Sequence, residues 1–223
     1  MTIKKFGVIL IVFLLGSQTI FAQQKRPLTH EDYDGWESLG SQRITKNGQW
    51  VGFQVRPQDG DSRLEIFPFK NPSNRVLIPR GEAYLFSADD LFAVGKIVPQ
   101  KDSVYHLKLK KTKKEDMPLD SLFIYNLASG NIEKLPRVKS FATPEKSGSW
   151  IAIHFEKEKK EMAKKDKESE ADSTVKAEKP KKTDGTLLQV RKLDGTVSYD
   201  FERVKSFGFS KNGEFLQYVL AEE

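Results

Sequence analysis

The residues able to carry chemistry are few and scattered. There is no cysteine, which excludes disulfides, thiolate metal sites, a cysteine nucleophile and lipid attachment at cysteine. Three histidines stand far apart, at His30, His106 and His154. His30 lies beside Glu31, Asp32 and Asp34. Hydrolytic metal chemistry needs such ligands at fixed geometry, and adjacent positions without a second histidine do not supply it. A capping role suits the segment better, with Thr29 or Asp32 closing a short helical turn before Trp36. His106 borders a lysine-rich stretch and His154 falls on a strand after Trp150, and both read as structural or solvated. A serine nucleophile of the Gly-x-Ser-x-Gly kind is not encoded: Gly60-Asp61-Ser62-Arg63-Leu64 lacks the second glycine. No Gly-rich phosphate loop occurs, so nucleotide use is unsupported. No catalytic, cofactor-binding or metal-ligating residue is therefore assigned, and no cofactor is expected.

Two further groups invite a binding role. Lys108, Lys110, Lys111, Lys113 and Lys114 are candidates for phosphate or anionic lipid, or for docking another domain, against the plainer reading of a solvated loop. The interleaved aromatic platforms of single-strand binders are absent. The formal net charge is only +6 for 223 residues, so nucleic acid is not expected as a partner. Trp50, Phe92, Trp150 and Phe215 resemble an aromatic platform, but each follows a polar turn at the start of a strand. That shared place points to packing between repeated sheets.

The elements behind these residues form a repeat. Thr45–Val51, Ser87–Ala93, Lys146–Ile151 and Ser210–Leu216 each read as a polar turn followed by a bulky strand. Aligned on the turn, one column is Gly48, Asp90, Gly148 and Gly213, residue types that tolerate left-handed backbone. The next columns are Trp50, Phe92, Trp150, Phe215 and Val51, Ala93, Ile151, Leu216. Val138-Lys139-Ser140-Phe141 recurs as Val204-Lys205-Ser206-Phe207, each time just before a turn. Hairpin signals around Asn71–Asn74, Ala128–Asn131 and Asp194-Gly195 supply the remaining strands. The aromatic spacing is 42, 58 and 65 residues. The first matches a four-stranded propeller blade of about 40–45 residues. Two charged inserts, near 99–120 and 156–184, account for the excess, and both fall between the second and third strands of a unit. From Glu156 to Lys182 there are ten lysines, six glutamates and two aspartates, too little apolar surface to offset ordering entropy.

The expected fold is all-β, a partial β-propeller of four-stranded antiparallel blades. The blades fall at about 41–78, 82–135, 138–201 and a partial 204–223, after a lead-in over 23–40. Three and a half blades do not close a ring of four to eight, so the chain is expected to be the beginning of a longer protein. A small open β-sheet domain is the plainer alternative.

The N-terminus bears on location. Lys4 and Lys5 precede the apolar run Phe6–Leu15, and Ile20-Phe21-Ala22 stands before Gln23. This is the order of a signal peptide over 1–22. The apolar run is short for a bilayer span of about 20 residues, although an uncleaved anchor remains an alternative. The expectation is an exported protein, periplasmic or secreted, with no stable membrane span after cleavage.

Several segments then resemble one family. They are Leu28-Thr29-His30-Glu31-Asp32-Tyr33-Asp34-Gly35-Trp36, Asn47–Val51, Glu115-Asp116-Met117-Pro118-Leu119-Asp120-Ser121-Leu122, and Val138–Phe141. Together they resemble the N-terminal region of exported Bacteroidota serine peptidases of the prolyl oligopeptidase type, the S9 family. The resemblance implies a propeller followed by an α/β-hydrolase domain, its partner, with a Ser-Asp-His triad that cleaves peptides, often after proline. It also implies that the propeller limits which peptides reach that site. No triad residue carries over to this sequence, so the 223 residues are expected to be inert alone. A non-enzymatic periplasmic binding propeller resembling TolB is the rival reading, and a truncated product that does not fold stably is a third.

Overall fold

In a computed structural model the described residues are 27–146, 148–157 and 185–221. The expected signal segment 1–22 and nearly all of the insert at 156–184 lie outside them. The chain divides into two compact units, 1–34 and 35–223. In the first, a single helical turn, α1 (His30–Asp34), is described.

The second unit is built almost entirely of antiparallel strands. The first sheet holds β1 (Glu37–Ile44), β2 (Trp50–Pro57), β3 (Arg63–Pro68) and β4 (Val76–Pro79). The second holds β5 (Gly81–Phe86), β6 (Phe92–Ile97), β7 (Ser121–Asn126) and β8 (Ile132–Leu135). The third joins β9 (Val138–Ala142), β10 (Trp150–Phe155), β11 (Thr186–Lys192), β12 (Ser198–Phe209) and β13 (Leu216–Leu220). Within each sheet, strands pair in chain order, so each is an up-and-down meander.

Side-chain parity shows why these sheets stack. Successive strand residues point to opposite faces. On β6 and β7, Ala93, Phe123 and Tyr125 join Leu64, Ile66 and Ile78 of the first sheet in one core, while Phe92, Val94, Leu122 and Ile124 join Val138, Ile151 and Ile153 of the third in another. The middle sheet is apolar on both faces because both are covered. Ala152, Leu188, Val190 and Val204 form a third core with Phe207, Phe209 and Leu216. Three sheets packed face to face in chain order are propeller blades, and the fold is an all-β partial propeller.

The turn column behaves as its residue types require. Gly48, Asp90, Gly148 and Gly213 have φ of 71, 59, 87 and 75°. A second left-handed column lies at the junctions between units: Arg80, Arg137 and Arg203 have φ of 60, 60 and 61°. Their carbonyls accept the N–H of Val98, Glu156 and Ala221, the residue just past each second strand, and the Trp36 carbonyl accepts Gln58 N–H likewise.

The strands depart from the expected boundaries at two places, and the charged stretch 99–120 holds structure of its own. β1 begins at Glu37, inside the 23–40 stretch read as a lead-in, because it pairs along the whole of β2 up to Glu37 opposite Pro57. β12 runs unbroken across the boundary placed between 201 and 204. The left-handed Arg203 bends it while Val204 stays paired with both Thr186 and Leu220. The charged stretch 99–120 is not a plain loop: it holds α2 (Lys101–Leu109) and a 3₁₀ turn (Lys114–Asp116). Asp102 in the first turn of α2 and His106 and Lys108 in the last suit its dipole, and none of its residues is buried.

Candidate functional site

The polar turns and the connections between second and third strands lie at opposite ends of each meander. At the turn end, Asp90 Oδ1 and Oδ2 accept the backbone N–H groups of Lys46 and Asn47 at 2.9 and 2.8 Å. Lys46 Nζ donates to the carbonyls of Ala88 and Glu145 at 3.2 and 3.4 Å. Lys146 N–H donates to the Lys211 carbonyl. This end is a backbone-knit scaffold across four units. Asp90 takes a glycine-like conformation, and its carboxylate joins two blades there.

The opposite end carries a groove of about 850 Å³. One wall is the first unit's connection, Pro57, Asp59, Gly60, Asp61 and Ser62; the other is Pro99 and the start of α2. Lys101 ties the walls together. Its ammonium donates to Asp59 Oδ1 at 2.7 Å and its backbone N–H to Asp61 Oδ1 at 2.8 Å. The Lys101 hydrogen bond, helped by Gly60 N–H, holds the Asp59 carboxyl below its ordinary range, and Asp59 in turn raises Lys101. Both groups are solvent-exposed, so the pair adds little stability. Arg56 donates from Nε and a terminal nitrogen to the amide oxygen of buried Gln54, at 2.9 and 2.5 Å. Val98, Val104 and Tyr105 add apolar surface. The groove presents both charge signs beside apolar side chains.

Ser62, the residue nearest a nucleophile motif in sequence, donates its hydroxyl to Glu82 Oε1 at 3.0 Å. It stands just before β3 in an ordinary strand connection. Its partner is a carboxylate, not the imidazole that activates a serine.

The histidines stand on separate elements. His30 is exposed on α1 and meets Tyr33 edge-on at 5.6 Å. Thr29 N–H and Oγ1 donate to Asp32 Oδ2 at 2.8 and 3.2 Å, so Asp32 reaches back as in a capping box. Asp34 closes the same turn; Glu31 is placed in it only by its backbone. His106 is exposed on α2 against Tyr105. His154 is buried on β10, with Nε2 2.9 Å from the Val204 carbonyl and 2.7 Å from Thr186 Oγ1. A carbonyl accepts only, so Nε2 carries the proton. Burial holds the His154 pKa below its ordinary value, opposed by the Val204 hydrogen bond. No group of three or more His, Asp or Glu residues fit to hold a metal ion occurs among the described residues.

The aromatic column divides. Trp50 packs on the first core and meets Tyr125 edge-on at 6.3 Å, Phe92 is buried in the second, and Trp150 packs on the third. Trp50 and Phe92 face the following sheet, and Trp150 faces residues of β11–β13 within its own five-stranded sheet. Phe215 does not belong to a core: it stands just before β13 and is 72% exposed. The following column, Ala93, Ile151 and Leu216, packs backward each time.

Sequence reasoning missed two cross-blade contacts. Arg191, largely buried on β11, grips both carboxylate oxygens of Glu133 on β8, at 2.9 Å through one nitrogen. Lys96 on β6 donates to Asp120 and to the Lys139 carbonyl, each at 2.8 Å. Alternation puts Arg191 on the face opposite Leu188 and Val190, so the sequence signals neither its burial nor a partner 58 residues away.

No protein-family model matches the chain, and no curated protein matches it. Among solved structures it is similar to the β-propeller domain of the Trilobed protease from Pyrococcus furiosus, described as having an open velcro topology. The identity is 12% and the TM-score 0.44, over 78% of this chain and 45% of that one. An acylaminoacyl peptidase in complex with Z-Gly-Gly-Phe-chloromethyl ketone matches at 12% identity and TM-score 0.43, over 81% and 27%. The Pyrococcus horikoshii acylaminoacyl peptidase matches at 11% and 0.45, over 82% and 28%. The chain thus spans less than half the length of each of these structures.

Proposed function

We propose that these residues are the non-catalytic propeller portion of an exported serine peptidase of the prolyl oligopeptidase type, gating peptide access to a hydrolase domain encoded outside the 223 residues. The observation that carries this reading is the constant register of the repeat. Two of the four segments that resemble the family are also repeated parts. Asn47–Val51 is the first turn and strand start, and Val138–Phe141 opens the third sheet as Val204–Phe207 opens the next unit. The groove supports the gating role. It lies among the connections that vary in length between units, and its paired charges over apolar surface suit peptide backbone and termini.

The test uses the complete reading frame. The complete protein is expected to label with a fluorophosphonate and to hydrolyse a proline-containing reporter peptide. A complete protein with further blades, no Gly-x-Ser-x-Gly segment and no labelling would overturn the proposal in favour of a binding propeller.

A further inference from the structure

We infer that α2 and the lysine run at its C-terminal end form a docking surface for an anionic lipid bilayer. The sheets do not need this helix for their cores: none of its residues is buried. Only Val104 and Leu107 are half-buried, toward the body. One helical turn apart, Tyr105, at the edge of the groove with Lys108, and Leu109 are 59% and 62% exposed. Positions four apart share a helix face, so an aromatic and an aliphatic side chain stand together toward solvent, with Asp102 and His106 beside them.

Beyond this pair the chain turns sharply. The N–H of Thr112 closes on the Leu107 carbonyl, and Lys111 takes a left-handed φ of 54°. Lys108, Lys110, Lys111, Lys113 and Lys114 are all exposed around that turn. Their acidic neighbours are Glu115 and Asp116. The ion pair among them joins Lys113 to Glu115 at 3.8 Å, with both side chains largely in solvent. Cations therefore outnumber carboxylates on this surface.

The apolar pair selects the partner. Lysines alone suit any polyanion. Lysines flanking an exposed tyrosine and leucine suit an interface where apolar side chains enter the headgroup boundary and ammonium groups meet lipid phosphates. A polyanion held through the lysines alone would bind without Tyr105 or Leu109.

The experiment is vesicle co-sedimentation of the chain without the expected signal segment 1–22, whose apolar run Phe6–Leu15 would enter any bilayer. Phosphatidylcholine vesicles with about one-third phosphatidylglycerol are compared with pure phosphatidylcholine. Binding is expected only to the anionic vesicles, weakening about tenfold or more as salt rises from about 0.1 to 0.5 M. The exposed triple variant Lys110→Glu, Lys111→Glu, Lys114→Glu should lose it, and Tyr105→Ser with Leu109→Ser should weaken it severalfold. An unchanged thermal midpoint in both variants excludes unfolding as the cause. Equal binding to the two vesicle types, binding insensitive to the triple variant, or binding to polyglutamate but not to vesicles would each overturn the proposal.

Discussion

At the scale of single residues, His154 is where solution conditions meet the fold. Its Nε2 joins β10 to Thr186 on β11 and to the Val204 carbonyl on β12. The Phe207 ring packs edge-on against it, and the charges that act on it are Lys139, which disfavours its protonation, and Glu156, which favours it. Its folded pKa is depressed, so between that value and the ordinary one the unfolded chain binds the extra proton. Stability should then fall as pH drops through about 6.5 and stop responding to this group below its folded pKa. Thermal midpoints followed from neutral to mildly acidic pH should decline in the native protein. The decline should be smaller in His154→Gln, which keeps a donor for Val204. Identical slopes in the two proteins would refute the assignment. The Arg191–Glu133 contact has a different physics: a bidentate pair between blades, half-shielded, fixes geometry more than it adds stability.

At the scale of elements, the aromatic column divides by what each position faces. Trp150 packs on the third core and stacks with Tyr199 at 6.4 Å, whereas Phe215 is largely in solvent. Trp150→Ala should therefore cost about 2–3 kcal/mol, at or below the lower end for buried aromatics because Trp150 is half-buried. Phe215→Ala should stay within about 0.5 kcal/mol. Equal losses by denaturant titration would mean that the column does not mark blade packing. The strands and polar turns were legible in sequence because period-two alternation and glycine-rich turns are local signals. Asp90 fitted the turn column by type. Its grip on Lys46 and Asn47 was not legible, because it is a contact between units. The arginine column was hidden for another reason. Arginine gives no sequence cue for left-handed backbone, and only the carbonyl bonds to Val98, Glu156 and Ala221 explain it. Helix α2 was missed because a helix with no buried face leaves no apolar period to read. The groove was missed with it, since half its wall is that helix.

At the scale of the molecule, stability should follow how many faces of each sheet are covered. The middle sheet packs apolar residues against neighbours on both sides. The first packs Leu64, Ile66 and Ile78 against the middle sheet, but its other face leaves Leu39 and Leu77 61% and 54% exposed and balances buried Glu65 between Arg63 and Arg75 at 2.9 and 2.6 Å. Opening the middle sheet removes two cores at once, whereas fraying the first uncovers one. Local opening free energies track buried apolar contact, so amide hydrogen exchange in the isolated chain should be slowest in β6 and β7. Their amides should outlast the equally hydrogen-bonded β2 and β3 by an order of magnitude or more, since about 1.4 kcal/mol of extra opening cost is tenfold. Both pairs are central strands of four-stranded meanders, so hydrogen bonding alone predicts no difference. Equal protection would mean that the sheets open as one unit and that face-to-face stacking does not set the hierarchy. Faster exchange in β6 and β7 than in β2 and β3 would contradict the stacked-blade account of the core itself.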